Sequence, residues 1–266
     1  SVHDLYQSTY LEDARIDGGS GEILYSANHG QTWQRLHNTT NVAFSLALDP
    51  GHTSRLYVAV SHGTRGGFRV TSNLHLGASS TWRALAAPPR TEGHPHQLRV
   101  LQDGTLVCTY SGRRAGGAFT ASSGLFVSTN GGAAWSDRSH TNMLYWTKDV
   151  VVDPYEPGES NWYVGVFSGW GGAPNGKGGL YRTTNRGLSW TRISALDRVT
   201  SCAFSPLDSN ILFMTTETDG LWYSTNARVS APVFTAATNY PFRQPERVFF
   251  NPYRPRDMWV TSFGHG

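Results

Sequence analysis

The stretch Ser26-Ala27-Asn28-His29-Gly30-Gln31-Thr32-Trp33 returns twice along the chain, as Ser128-Thr129-Asn130-Gly131-Gly132-Ala133-Ala134-Trp135 and as Thr183-Thr184-Asn185-Arg186-Gly187-Leu188-Ser189-Trp190. Two degenerate copies complete the set, Thr71-Ser72-Asn73 leading to Trp82 and Ser224-Thr225-Asn226 leading to Phe234. Each residue type has a local task. Asn folds its side chain onto backbone N–H groups and closes a turn. Gly supplies a positive φ without steric cost. Trp buries a large ring and needs a partner for its N–H. Asn28, Gly30, Trp33, Asn130, Gly132, Trp135, Asn185, Gly187, Trp190 and Asn226 are therefore expected to be structural, each phrase stapling the hairpin between two strands. A calcium or ligand site there would need carboxylates that the phrase lacks.

The closing aromatics fall 49, 53, 55 and 44 residues apart. That is the period of a repeat architecture, and it fits the four-stranded blades of a β-propeller. Twenty-nine glycines, 12% aromatics and 15% charged residues suit short strands joined by tight turns. A chain of 266 residues can bury a sizeable core. The net charge is +3 without a Lys/Arg run, which argues against a nucleic-acid partner. No apolar stretch approaches the ~20 residues of a membrane span. The chain opens at Ser1, as a mature secreted form or a fragment would. Cys108 and Cys202 fall in different blades, so two buried free thiols are expected rather than a disulfide. Asn38-Thr39-Thr40 is a glycosylation sequon, a triplet common by chance.

With strands lettered A to D outward from the axis, the patterning gives a single all-β propeller domain, or a fragment of one, over 1–266. A partial blade covers 1–37, blades cover 42–86, 97–138, 148–194 and 199–237, and a partial blade covers 246–266. Alternation is clear at Leu46 and Leu48, then at Leu56, Val58 and Val60. Asp49-Pro50, Asp153-Pro154, Ser205-Pro206 and Asn251-Pro252 end A strands with turn chemistry. The D strands are expected over 32–36, 81–85, 134–137, 189–193 and 233–236. Three strands, four blades and two strands leave exposed edges unless the ring is completed. The favoured reading is part of a larger ring whose remainder lies outside this sequence. The other is a five-bladed ring whose two ends share a blade.

In such blades the D-to-A and B-to-C connections share one face, where long loops gather. Two of them, 139–147 and 167–178, bring Tyr145, Trp146 and Trp170 together with Lys177. Aromatic rings beside polar groups suit sugars, which stack their C–H faces and present hydroxyls. The alternative is that these rings fill gaps between blades. Glycoside hydrolysis needs two carboxyls roughly 5–5.5 Å or 6.5–9.5 Å apart. Asp149, Glu217 and Asp219 are the candidates on this face, with Asp13, Asp17, Glu92, Asp197 and Glu246 behind them. Sequence spacing sets no pair. His94-Pro95-His96 lacks a third ligand nearby, so no metal is expected. No Gly-x-Ser-x-Gly elbow is present, and no cofactor is expected.

The pattern Ser/Thr-x-Asn-x-Gly-x-x-Trp resembles the Asp-box, or bacterial neuraminidase repeat, with Asn where that family usually has Asp. Together with Gly178-Gly179-Leu180-Tyr181-Arg182-Thr183-Thr184-Asn185 and Asp153-Pro154, it makes nearly the whole chain similar to the xyloglucanase and oligoxyloglucan cellobiohydrolase propellers. Similar blades occur in sortilin-type receptors and sialidases, so the motif travels among functions. The xyloglucanase-like resemblance implies catalytic aspartates facing a cleft between two propellers. Only Asp149 has a matching setting, and no second propeller is present in this sequence. The sialidase Arg-Ile-Pro segment and arginine triad are not found.

Two readings follow. The favoured one is a secreted or cell-surface Asp-box propeller that binds polysaccharide, surface glycan or a protein partner on its loop face as a non-catalytic scaffold. The alternative is an extracellular glycoside hydrolase of the xyloglucanase-like type using paired carboxylates.

Overall fold

A computed structural model describes residues 5–11, 20–61, 66–112, 114–115, 118–144, 146–169 and 173–263. Strands β1 (Leu5–Leu11), β2 (Ser20–Ser26) and β3 (Gln34–Asn38) form a three-stranded sheet. A four-stranded sheet follows, of β4 (Val42–Asp49), β5 (His52–Ser61), β6 (Gly67–Thr71) and β7 (Arg83–Ala84). The next contains β8 (Pro95–Val100) and β9 (Leu106–Tyr110), then, after the small hairpin β10 (Arg114–Ala115) and β11 (Ala118–Phe119), β12 (Gly124–Ser128) and β13 (Ser136–Asp137). Then come β14 (Thr147–Val152), β15 (Trp162–Val166), β16 (Gly179–Thr183) and β17 (Thr191–Ser194). The last four-stranded sheet is β18 (Val199–Phe204), β19 (Leu212–Thr216), β20 (Gly220–Ser224) and β21 (Thr235–Ala236). The strand pair β22 (Pro245–Phe250) and β23 (Met258–Ser262) ends the described chain. The fold is all-β and of the propeller type, with antiparallel blades in which each strand pairs with the next. Among the described residues only two short 3-10 turns, Leu74–Ser79 and Thr141–Leu144, are helical.

The chain packs as two compact units, Ser1–Asp137 and Arg138–Gly266. In the first, the period-two alternation of β5 feeds two separate cores. Leu56, Val58 and Val60 pack with Ile23, Leu36 and Ala43 on one side. Tyr57 and Ala59 pack with Leu98, Cys108 and Phe126 on the other. A second strand of a blade is thus sandwiched between sheets, which is why it reads as a continuous apolar run. In the second unit, Tyr163, Leu180 and Ile193 meet Cys202, Phe204, Leu212 and Met214 across two sheets. Both cysteines are buried, and neither is in a disulfide.

All five phrase turns share one hydrogen-bond plan. A buried hydroxyl at the end of the strand entering each turn donates to the Asn Oδ1: Ser26 to Asn28, Thr71 to Asn73, Ser128 to Asn130, Thr183 to Asn185 and Ser224 to Asn226, at 2.8–3.0 Å. The same Oδ1 accepts the backbone N–H of Thr32, Thr81, Ala134, Ser189 or Val233. Gly132 and Gly187 lie at φ 83° and 81° and return an N–H to Ser128 or Thr183 Oγ.

Two expectations change. The fourth strands begin about two residues later than the pattern suggested, because the residue after each turn is spent closing it. The Trp does not merely staple its own hairpin. Trp135 Nε1 donates to Ala86 O at 2.8 Å, just past β7, so this ring ties one blade to the blade before it.

Candidate functional site

Within Arg138–Gly266 the first strands β14, β18 and β22 lie in succession, each packed against the next. Each has a β-bulge near its start: between Thr147 and Val150, between Val199 and Ser201, and between Pro245 and Arg247. A bulge adds one unpaired residue and re-aims its neighbours. Here it places Lys148 and Asp149, Thr200 and Ser201, and Glu246 and Arg247 at corresponding positions of three adjacent strands. Gly165 stands opposite the first bulge, where a Cβ would come within 2.8 Å of Val199 O, so its small size permits this approach.

Charges at these positions are matched. Lys148 Nζ lies 3.2 Å from Glu246 Oε2 and also over the rings of Trp146 and Phe167, at 5.0 and 5.5 Å. Asp149 is 2% exposed, and its Oδ2 accepts the Ser201 hydroxyl at 2.5 Å. Arg247 Nη2 is 3.9 Å from that oxygen. Thr200 Oγ1 is turned inward, donating to Thr215 Oγ1 or Pro245 O.

The loops above these strands are held by Arg198, which the sequence did not single out, and by Asp197, named there only as a further carboxyl. Arg198 has φ 56°, an unusual conformation for a non-glycine residue. Its guanidinium donates to Ser168 O, Gly169 O and Glu217 Oε2 and stacks 5.0 Å over Phe167. Asp197 accepts from the Ser168 N–H and hydroxyl and from the Gly176 and Arg198 N–H groups. Both act across tens of residues, and neither carries a local motif. The strained φ, overdetermined by these bonds, is the kind of outlier that clusters at working surfaces.

The sequence candidates separate accordingly. Asp149 and Glu217 reach this region. Glu217 is bound to Arg198 at 2.6 Å, while Asp149 is enclosed. Asp219 sits in an exposed turn, where its carboxylate accepts from Thr218, its N–H donates to Thr216 Oγ1, and its carbonyl accepts from Trp222 Nε1. Trp146 is half-buried and packs 5.0 Å from Phe167, whose N–H donates to Trp146 O. Lys177 is exposed on its loop, its carbonyl accepting from the Tyr181 hydroxyl. Tyr145 and Trp170 lie outside the described residues. His140 Nδ1 accepts the Asn142 N–H, and burial lowers the His140 pKa, both favouring the neutral ring.

Elsewhere, His94 Nδ1 pairs with Ser61 Oγ at 3.0 Å, while His96 packs against Phe44, so the two histidines take different partners. Among the described residues no group of three His, Cys, Asp or Glu gathers as a metal site. No helix there is long and apolar enough to cross a membrane.

No family model matches this chain, and no curated protein does. Solved structures do. A GH74 enzyme of Niastella koreensis superposes with TM-score 0.69 at 18% identity, over 98% of this chain and 42% of that one. PorZ, a surface component of the Porphyromonas gingivalis type-IX secretion system, gives 0.66 at 14%, over 100% and 38%. The extracellular domain of a hybrid two-component system from B. thetaiotaomicron gives 0.64 at 13%, over 97% and 32%. The chain thus spans about two fifths or less of the length of these three. At such identities the likeness speaks for the propeller fold.

Proposed function

We propose that the chain is an extracellular, non-catalytic propeller that binds polysaccharide or surface glycan on the loop face of Arg138–Gly266, and that its recurring turns are Asp-boxes carrying Asn. The observation that carries this reading is the ion pairing of the carboxyls that could partner Asp149. The carboxylate best set for hydrolysis is 2% exposed and bonded to Ser201. Glycoside hydrolysis takes two carboxyls, one on each side of the bond to be cut. Glu217 and Glu246 each engage a cation instead. What remains is a charge-balanced polar surface beside the half-buried ring of Trp146. Such a surface can hold a sugar by stacking and hydrogen bonds without cleaving it.

The test is a polysaccharide panel run through native affinity gels, with reducing ends assayed in parallel. Retardation by at least one glycan without reducing-end release is expected. Release that disappears in both Asp149→Asn and Glu217→Gln would make the chain a glycoside hydrolase. Neither retardation nor release would move the assignment to a protein ligand.

A further inference from the structure

The bulged positions form two rows of opposite polarity. One runs from Lys148 past Thr200 to Glu246, positive to negative. The other runs from Asp149 past Ser201 to Arg247, negative to positive. The set carries no net charge. An anionic ligand would meet Asp149 and Glu246, and a cationic one Lys148 and Arg247. A neutral ligand that both donates and accepts hydrogen bonds meets no repulsion from either row.

Two hydrogen-bonding capacities are unspent here. Asp149 Oδ1 is buried and has no hydrogen-bond partner, an expensive state for a carboxylate oxygen. The Arg247 guanidinium, about a third exposed, makes no hydrogen bond among the described residues, only the 3.9 Å approach to Asp149 Oδ2. That gap is too long for a direct bond and of the size that one bridging oxygen closes.

We propose that Asp149 and Arg247 are an acceptor–donor pair that reads a vicinal diol of a neutral sugar. One hydroxyl donates to Asp149 and accepts from Arg247. The neighbouring hydroxyl accepts a second N–H of the guanidinium fork, whose planar geometry suits two adjacent oxygens. Ser201 holds the Asp149 carboxylate in place from the other side. Arg247 covers the carboxylate when the site is empty and swings to admit the sugar. The corresponding pairs of Ser1–Asp137, Phe44 with Ser45 and His96 with Gln97, carry no Asp or Arg, so among the described residues the device stands in the second unit. Asp149 thereby becomes a binding residue, and the inference rests on the glycan reading above.

Calorimetry and affinity gels with xyloglucan, galactomannan and mixed-linkage glucan, and with polygalacturonate as the anionic comparison, test it. Asp149→Asn and Arg247→Gln are each expected to weaken binding of a neutral glycan about tenfold, the loss of one charge-assisted hydrogen bond. The double variant should lose little more than either single one, as coupled partners do. Arg247→Gln changes a partly exposed side chain and keeps the test valid if Asp149→Asn fails to fold. Unaltered affinity in Arg247→Gln, with binding abolished by Trp146→Ala, would overturn the pair and leave the glycan site standing. Preference for polygalacturonate would overturn the neutral-diol chemistry. If the unmodified chain binds none of the four, the glycan reading falls and the pair falls with it.

Discussion

Asn130 meets the demands of its turn with one oxygen, which accepts from Ser128 Oγ and from the Ala134 N–H. Neither bond needs a negative charge. Asn130→Asp is therefore expected to change stability by less than ~0.5 kcal/mol, the range of an innocuous surface change. Ser128→Ala should cost ~1–3 kcal/mol, because the buried hydroxyl serves both Asn130 and the Gly132 N–H. Urea unfolding of the two variants beside the parent decides; equal losses would show that the turn does not tolerate a charge at position 130. The Asn amide adds a donor where a hydroxyl is within reach, at Thr32, Thr81 and Ser189. This chemistry was legible in the sequence because nearly all of it is local. The Trp135 bond to Ala86 was not, because its partner is 49 residues away.

At the scale of elements, the loops of the second unit depend on Arg198. Removing it unpairs Glu217 and frees two carbonyls, Ser168 O and Gly169 O. Arg198→Ala is expected to lower stability by ~2–4 kcal/mol and to speed proteolysis within 167–178. Arg198→Lys should recover little, since an ammonium cannot reproduce the fork. Wild-type cleavage rates in Arg198→Ala would refute this anchoring. The turn Thr141–Leu144 answers to pH instead. Burial lowers the pKa of His140, and its Nδ1 must stay unprotonated to accept from Asn142. The unfolded chain takes up this proton near the ordinary 6.5, whereas the folded chain resists it until lower pH. The stability contribution is thus complete above about 6.5 and falls as pH drops toward the folded value. His37 behaves in the same sense, through burial first and the Arg69 charge second. The thermal midpoint should fall between pH 7.5 and 5 by less in a His140→Gln, His37→Gln double variant than in the parent, as scanning calorimetry would read.

For the whole molecule, each compact unit contains one buried thiol, Cys108 in Ser1–Asp137 and Cys202 in Arg138–Gly266. Burial drives the Cys108 pKa well up, which further suppresses its thiolate. Neither thiol is expected to react with an aromatic disulfide reagent in native buffer, and each should react as its own unit opens in denaturant. Labelling of the Cys108→Ser and Cys202→Ser variants across a urea series gives one curve per unit. Reaction of either variant at zero urea would contradict the packing described for that cluster.

Residue order alone yields the repeat, the blade type and the chemistry of the five turns. Those rest on period-two alternation and on bonds confined to about eight residues, where backbone geometry follows directly from Asn, Gly and hydroxyl side chains. It also named Asp149 and Trp146, because their loops are long and polar. That Asp149 is enclosed, that Glu217 belongs to Arg198 and that Asp219 sits in an exposed turn emerge from the folded chain. Burial and ion pairing depend on which strand starts are brought side by side. Here three bulges set that alignment, and a bulge leaves no signature in the order of residues.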